Sequence, residues 1–392
     1  MAVKLVAKPG EVDFPKGMEG MISRESTKSY VDGLNGHLYY HGIPIEELAE
    51  NSTYEETFFL LLYDRLPTED ELAAFTARLV QHRDIPDMVY DVIAEATDVY
   101  GAHPMAVLRT AISLLGIYDE SAEDETDEAH ERVAIKITSK FGAVVAAIGR
   151  GLQGLPAIRP RADLSHAANF LWMLTGEEPD PYDARVMDVI IILHADHGCN
   201  ASTFGALVAQ SALSDMYSAV VSGISTLKGP LHGGANQRVM LMLDDIGGPD
   251  LVEAWLDDAL AKRKKIMGFG HRVYKAMDPR AVILHDYGKE VTRRAGTEGW
   301  LEMAEVIEKR MIEKLGAKGI WPNVDFFSGV VMSSMGIDSG LFTPIFALSR
   351  VGGWVAHALE QFRDNRIFRP RFIYVGPAEA HWVPFDERDG AA

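Results

Sequence analysis

Cysteine is almost missing from this chain: Cys199 is the single one in 392 residues. No internal disulfide can form, which excludes a disulfide scaffold and fits a reducing compartment. Long apolar runs are missing as well. No stretch approaches about 18 consecutive apolar residues, so no membrane-spanning helix is expected. Positive charge is scarce: 38 Lys and Arg stand against 57 Asp and Glu, a formal charge of −19. That balance argues against whole-surface binding to nucleic acid or anionic lipid. Lysine is the scarcer cation, with 15 against 23 arginines. Two readings follow for such a surface: one kept soluble in high salt, where self-repulsion is screened, or that of an ordinary acidic cytosolic protein. The opening stretch MAVKLVAKPGEVDFPKG has no signal-peptide apolar core, and Glu11 and Asp13 argue against a transit peptide. A cytoplasmic location is expected.

What is present is a folded globular chain, 47% hydrophobic and 24% charged. Its length suggests roughly two to three domains, or one large domain with a lobe. Helical signals dominate. Ser52 with Glu55, and Thr68 with Glu71, form capping-box patterns ahead of apolar runs. Helical periodicity predicts helices near residues 104–117, 132–152, 164–175, 183–197, 202–222, 236–246, 250–265, 279–293, 301–315, 327–335 and 343–363. Strand signals are few, and Gly36-His37-Leu38-Tyr39-Tyr40 reads as one arm of an N-terminal hairpin. The eight acids in residues 119–131 read as a solvated turn or helix end. No βαβ alternation or internal repeat is visible, so a mostly α protein is expected.

Five segments could carry chemistry. In Leu193-His194-Ala195-Asp196-His197-Gly198-Cys199-Asn200, His194, His197 and Asn200 share a helical face if the helix persists. The polar groups there are satisfied by backbone carbonyls, serve a substrate, or offer His194, Asp196 and His197 as metal ligands. In Gly229-Pro230-Leu231-His232-Gly233-Gly234-Ala235-Asn236, His232 sits just ahead of a helix N-terminus. The dipole there disfavours an imidazolium, leaving a neutral ring able to donate an N–H to a developing oxyanion. Residues 262–275 hold six Lys and Arg and no acid. That local reversal suits a polyanionic ligand such as nucleotide phosphates; Lys262, Lys264 and Lys265 also suit a helix C-terminus. Asp278-Pro279-Arg280 reads as a cap, a first helical residue and an arginine aimed from a helix start. Asp325, in Asn323-Val324-Asp325-Phe326-Phe327, is either a carboxylate made basic by desolvation or the N-cap of the next helix. Arg350 lies in an apolar helix where an unpaired guanidinium is costly, and Arg369 precedes Pro370. No nucleophilic Ser or Cys motif, P-loop or dinucleotide fingerprint is present. Bases, oxyanion donors, carboxylate clamps and a basic loop suit carbon-acid chemistry with a phosphate-bearing carrier.

Taken in order, these segments resemble the citrate synthase family. Leu-His-Ala-Asp-His-x-x-Asn at 193–200, Gly-Pro-Leu-His-Gly-Gly-Ala-Asn at 229–236 and Gly-Phe-Gly-His-Arg-Val-Tyr-Lys at 268–275 match its motifs. Asp-Pro-Arg at 278–280, Asn-Val-Asp-Phe at 323–326 and Arg-Pro-Arg at 369–371 complete the set. The likeness runs over about residues 17–376 and resembles the shorter bacterial and archaeal dimeric members.

The resemblance implies an all-α, citrate synthase-like fold, with a large helical domain (1–231 and 333–392, bearing the dimer interface) and a small one (232–332) around a closing cleft. It implies condensation of acetyl-CoA with oxaloacetate, then hydrolysis of citryl-CoA to citrate and CoA. Asp325 would be the base, His232 the stabiliser of the enol or enolate, and His271 the carbonyl polariser and proton donor. His197, Asn200, Arg280, Arg350 and Arg369 would bind oxaloacetate, with Arg369 reaching in from the other subunit of a homodimer. Arg272 and Lys275 would contact CoA phosphates. No metal and no permanently bound cofactor are implied; the CoA thioester is a substrate.

Departures from the family pattern bear on detail. Gly198-Cys199 stands directly before Asn200, where some members carry a second glycine. Phe326 and Phe327 replace smaller or polar residues of animal members, which bears on acyl chain length. The chain lacks the extra N-terminal region of the larger NADH-inhibited bacterial enzymes, so a dimer without that control is expected. The competing readings are 2-methylcitrate synthase using propionyl-CoA, a non-catalytic acyl-CoA-binding relative, and a metallohydrolase built on His194, Asp196 and His197.

Overall fold

The computed structural model describes residues 6–388. Residues 1–5 and 389–392, which fall in the expected large domain, lie outside the described residues. The chain divides into two units, one of residues 1–25 and 367–392, the other of residues 26–366. In the first, Val6 and Tyr374 form a parallel bridge, and Ala7 N–H donates to Tyr374 C=O at 3.0 Å. The Arg388 guanidinium covers the Phe385 ring at 5.0 Å.

The second unit begins with a three-stranded antiparallel sheet, β1 (Ser29–Asp32), β2 (His37–Tyr40) and β3 (Ile43–Pro44). Tyr30 faces Tyr39, and Val31 faces Leu38. Leu38 and Tyr40 turn inward while His37 stays exposed, the alternation a half-buried strand requires. The expected hairpin arm is β2.

Sixteen helices follow among the described residues: α1 (Ile45–Asn51), α2 (Tyr54–Tyr63), α3 (Glu69–Gln81), α4 (Asp87–Asp98), α5 (Pro104–Ile117), α6 (Asp127–Gly151), α7 (His166–Thr175) and α8 (Pro181–His194). The remainder are α9 (Ala201–Ser211), α10 (Met216–Leu227), α11 (Ala235–Ile246), α12 (Val252–Ala261), α13 (Pro279–Ala295), α14 (Glu298–Leu315), α15 (Val324–Ser334) and α16 (Phe342–Arg363). The fold is all-α, as expected. No described helix is long and apolar enough to cross a membrane.

Pro104, Pro181 and Pro279 open α5, α8 and α13, where a missing N–H costs nothing. The Thr68–Glu71 capping box forms as expected. The Ser52–Glu55 pattern does not: Thr53 caps α2, because the Glu55 carboxylate turns inward to accept the His166 N–H at 2.8 Å. The expected helix near 202–222 is two helices. Leu213 takes a left-handed conformation, φ 60°, and Asp215 caps α10. The acidic run is not wholly solvated either. Asp119 is 5% exposed on its side chain and pairs with Lys136 at 2.5 Å. At the core, α16 packs along α6, with Trp354, Phe141 and Tyr54 fully buried.

Candidate active site

Five chain segments of the second unit bring the charged and imidazole groups together: the loop after α8, the turn before α11, the stretch from His271 to the start of α13, the start of α15, and α16. Helix α8 ends at His194, three residues before the expected end, so His194, His197 and Asn200 do not share a helical face. The His194 Nδ1 pairs with Ile190 C=O at 2.8 Å, the backbone-satisfied alternative. His197, 7% exposed, lies in the loop beyond, with Nε2 3.3 Å from the Tyr274 hydroxyl. Asn200 caps α9, accepting from the Ser202 and Thr203 N–H groups and donating to Gly198 C=O. Asp196 turns away to His357 at 3.0 Å. The three residues of the metallohydrolase reading thus face three different partners. Among the described residues, no group of three His, Cys, Asp or Glu is placed to hold a metal ion.

His232 precedes α11, as expected, but the helix that acts on its ring is α9. The Ser202 backbone N–H, in the first turn of α9, donates to His232 Nε2 at 3.2 Å. A backbone N–H can only donate, so Nε2 is the acceptor and the ring proton resides on Nδ1. The Ser202 hydroxyl lies 2.8 Å from the same nitrogen and accepts from Trp354 Nε1 at 3.2 Å. Burial, reinforced by the positive charge of Arg350, lowers the His232 pKa to about 4.

His271 is locked the other way round. Its Nδ1 accepts from the N–H groups of Val273 and Tyr274 at 3.0 and 3.1 Å. The proton therefore resides on Nε2. Burial, then Arg280, lowers this pKa to about 4 as well. The His271 and His197 ring centroids are 5.2 Å apart. Burial, with Arg280 and His271, pulls the His197 pKa well below the ordinary histidine value.

The turn bearing His271 is stitched to the start of α15. Asn323 N–H donates to Gly268 C=O at 2.9 Å, its side chain donates to Gly270 C=O at 3.0 Å, and Gly270 N–H donates to Trp321 C=O at 2.9 Å. Gly268 has φ 78°, and a Cβ there would lie 2.6 Å from the Phe326 ring, so only glycine fits. Asn323 is the N-cap of α15, which corrects the capping alternative for Asp325: Asp325 is the second helical residue and half-buried. Its carboxylate has no hydrogen-bond partner among the described residues. Burial, opposed by Arg280 and helped by Asp278, raises its pKa to about 6.

Two guanidiniums face this ground from α13 and α16. Arg280, 2% exposed, is gripped by Asp278 through Nε at 3.0 Å and Nη2 at 2.7 Å. Asp278 caps α13 as expected and also accepts the Val324 N–H at 3.3 Å, tying α13 to α15. Burial lowers the Arg350 pKa to about 10, against the pull of Asp196. Its Nε donates to His194 C=O at 2.7 Å, and its fork end has no hydrogen bond among the described residues. Such a fork suits a carboxylate.

Of the expected site residues, His197, His232, His271, Arg280, Asp325 and Arg350 converge by these distances and mutual fields. Asn200, expected to bind oxaloacetate, has its side chain engaged in the α9 cap. Arg272 and Lys275 are exposed on the loop after His271. Arg369 is exposed in the other unit. Sequence reasoning did not single out Ser202 or Tyr274, or the Asp278–Arg280 and Asp196–His357 pairs. The one signal available was polar residues next to chosen ones. Phe326 and Phe327 are buried against Phe269 and His285, with ring centroids 4.8 and 4.9 Å apart.

The family model described as citrate synthase, C-terminal domain, matches residues 17–371. Citrate synthase of Deinococcus radiodurans is 49% identical over 376 residues, 96% of this chain and 99% of that protein. A 2-methylcitrate synthase of Mycobacterium tuberculosis is 40% identical over 369 residues, 93% of this chain and 91% of that protein. A solved ternary complex of carboxymethyl coenzyme A and oxaloacetate with citrate synthase from Thermoplasma acidophilum superposes with a TM-score of 0.91. It is 35% identical and covers 96% of this chain and 100% of that one. The chain therefore belongs to the citrate synthase family, a family of acyltransferases.

Proposed function

We propose that the chain condenses acetyl-CoA with oxaloacetate and hydrolyses the citryl-CoA formed. The observation that carries this reading is the pair of opposite histidine tautomers beside an unpartnered carboxylate. Asp325 removes a proton from the acetyl methyl group, being ionised above about pH 6 and free to accept. His232 Nδ1–H hydrogen-bonds the thioester oxygen as charge develops there; such a donor is worth about 10²–10³ in rate. His271 Nε2–H polarises the oxaloacetate carbonyl. The new carbon–carbon bond forms there, and the alkoxide takes its proton from His271. Water then cleaves the thioester, leaving citrate and CoA.

His197, Arg280 and Arg350 hold the oxaloacetate carboxylates, and Asn200 keeps α9 aimed at His232. Arg369 completes the site of the other subunit in a homodimer. Arg272 and Lys275 contact the CoA phosphates. The large domain (1–231 and 333–392) and small domain (232–332) close over both substrates, which keeps water from the thioester until the carbon–carbon bond has formed. No metal or resident cofactor enters any step.

The rival is 2-methylcitrate synthesis from propionyl-CoA. One methylene changes selectivity by only about 1–3 kcal/mol, so partial use of both thioesters is compatible with this chemistry. The burial of Phe326 and Phe327 in packing favours neither acyl group. The test is the initial rate of thiol release from acetyl-CoA and propionyl-CoA, with and without oxaloacetate, in chelator. Oxaloacetate-dependent release with higher kcat/KM for acetyl-CoA is expected. A propionyl-CoA preference would move the protein to the rival reaction, and no release from either would leave a binding protein.

A further inference from the structure

The loop that carries His197 is docked on α16 by three contacts, one from each of three successive turns. Arg350 Nε donates to His194 C=O at 2.7 Å, Gly353 N–H donates to Ala195 C=O at 3.2 Å, and His357 Nε2 lies 3.0 Å from Asp196 Oδ2. Residues 350, 353 and 357 form one stripe of the helix. A Cβ at Gly353 would lie 2.4 Å from Ala195 O and 2.7 Å from Asp196 Oδ1, so the approach requires glycine.

The Asp196 end is held from the sheet side as well. Ser29 Oγ donates to Asp196 Oδ2 and accepts the Gly198 N–H at 2.9 Å. The Tyr40 hydroxyl accepts the Asp196 N–H at 3.0 Å and donates to Asp196 C=O at 2.9 Å. Asp196 is 0% exposed and His357 3%. Asp196 Oδ1 is buried with no hydrogen-bond partner among the described residues. A buried ion pair with an unsatisfied oxygen is poor at stabilising a fold, since desolvation offsets most of its attraction. Its position offers a better account. It sits next in sequence to His197 and two helical turns from Arg350.

We propose that Asp196 and His357 are positioning residues for the oxaloacetate site: their ion pair sets the separation of His197 and Arg350. This rests on the reading above, in which both groups hold oxaloacetate carboxylates. A 1 Å error in such a separation typically costs about 10²-fold in reactivity. The charges that face His357 are Asp196 from the loop and Glu360 from α16, at 3.7 Å, with the Ser26 hydroxyl at 3.4 Å from the segment before β1. Asp196 is faced by His357 and Arg350 from α16. Burial pulls the His357 pKa down, but Asp196 and Glu360 outweigh it and raise it to about 9. The pair is therefore charged through neutral pH and is lost as pH rises through about 9.

The experiment compares the full-length protein with His357→Gln and Asp196→Asn, measuring CoA release and direct calorimetric binding of oxaloacetate. The expected result is a KM for oxaloacetate raised at least about tenfold, with the KM for acetyl-CoA nearly unchanged. In the unaltered protein, oxaloacetate affinity should begin to weaken near pH 9; in His357→Gln that onset should be lost, leaving only the later fall near pH 10 that comes from Arg350 itself. A lowered melting temperature with unchanged oxaloacetate affinity and an unchanged onset would reduce the pair to a core contact. If Asp196→Asn does not fold, Gly353→Ala strains the same contact from the helix side and should give the same split in KM. An unaltered protein without oxaloacetate-dependent release would sink the proposed function instead, so the two failures are distinguishable.

Discussion

The backbone N–H of Ser202 points at Nε2 of His232, 3.2 Å away. It is a first-turn amide of α9 with no intrahelical acceptor, and it is shared between the Asn200 cap, at 3.1 Å, and this ring. Here it sets the proton of a neighbouring ring, and its helix dipole opposes an imidazolium. His232→Ala should lower kcat by about 10²–10³. Ser202→Ala keeps the amide and should lower it much less. Steady-state rates check both; equal losses would assign the tautomer to the hydroxyl.

Asp325 should appear in the pH profile. Its folded pKa of about 6 lies above the ordinary carboxylate value, so kcat/KM for acetyl-CoA should fall about tenfold per pH unit below it. His232 and His271, each at about 4, stay neutral throughout that limb.

The same shift has a sign for stability. A carboxyl with a raised folded pKa binds more protons folded than unfolded, so its contribution falls as pH rises from about 4 to about 6. At pH 8 the ionised group opposes folding. Asp325→Asn should therefore abolish nearly all turnover while oxaloacetate still binds, and its melting temperature at pH 8 should hold or rise. A fall of several degrees would show that the carboxylate is stabilised by its surroundings.

Arg369→Ala should impair turnover in a dimer that still assembles. Sedimentation would report the assembly and thiol release the activity. Normal turnover would contradict a shared site.

If the charge of −19 is a salt adaptation, the melting temperature should climb between low and molar KCl as self-repulsion is screened. A flat response would leave an ordinary acidic protein.

Helix positions were legible wherever apolar periodicity coincided with a cap. Residues 104–117 were read to the residue, and Asp278-Pro279 correctly opened α13. Failures came where a tertiary partner outbid the local signal. Glu55 left its capping role for the His166 amide. Asp325 yielded the cap to Asn323, which also holds the His271 turn. Helix α8 stopped at His194 although its pattern ran on, because the loop beyond is held by Tyr40, Ser29 and His357.

The order and spacing of motifs carried the resemblance to the family to which the chain belongs, and that resemblance picked out the groups of the candidate site, because whole motifs in a fixed order are far more specific than any one histidine or arginine. Protonation and aim were decided only in three dimensions. Which nitrogen of His232 or His271 carries the proton depends on amides from Ser202, Val273 and Tyr274. Which end of Arg280 is occupied depends on how Asp278 folds back on it. A hydrogen bond is set by direction and by a distance of about 3 Å, and neither is written in composition or spacing.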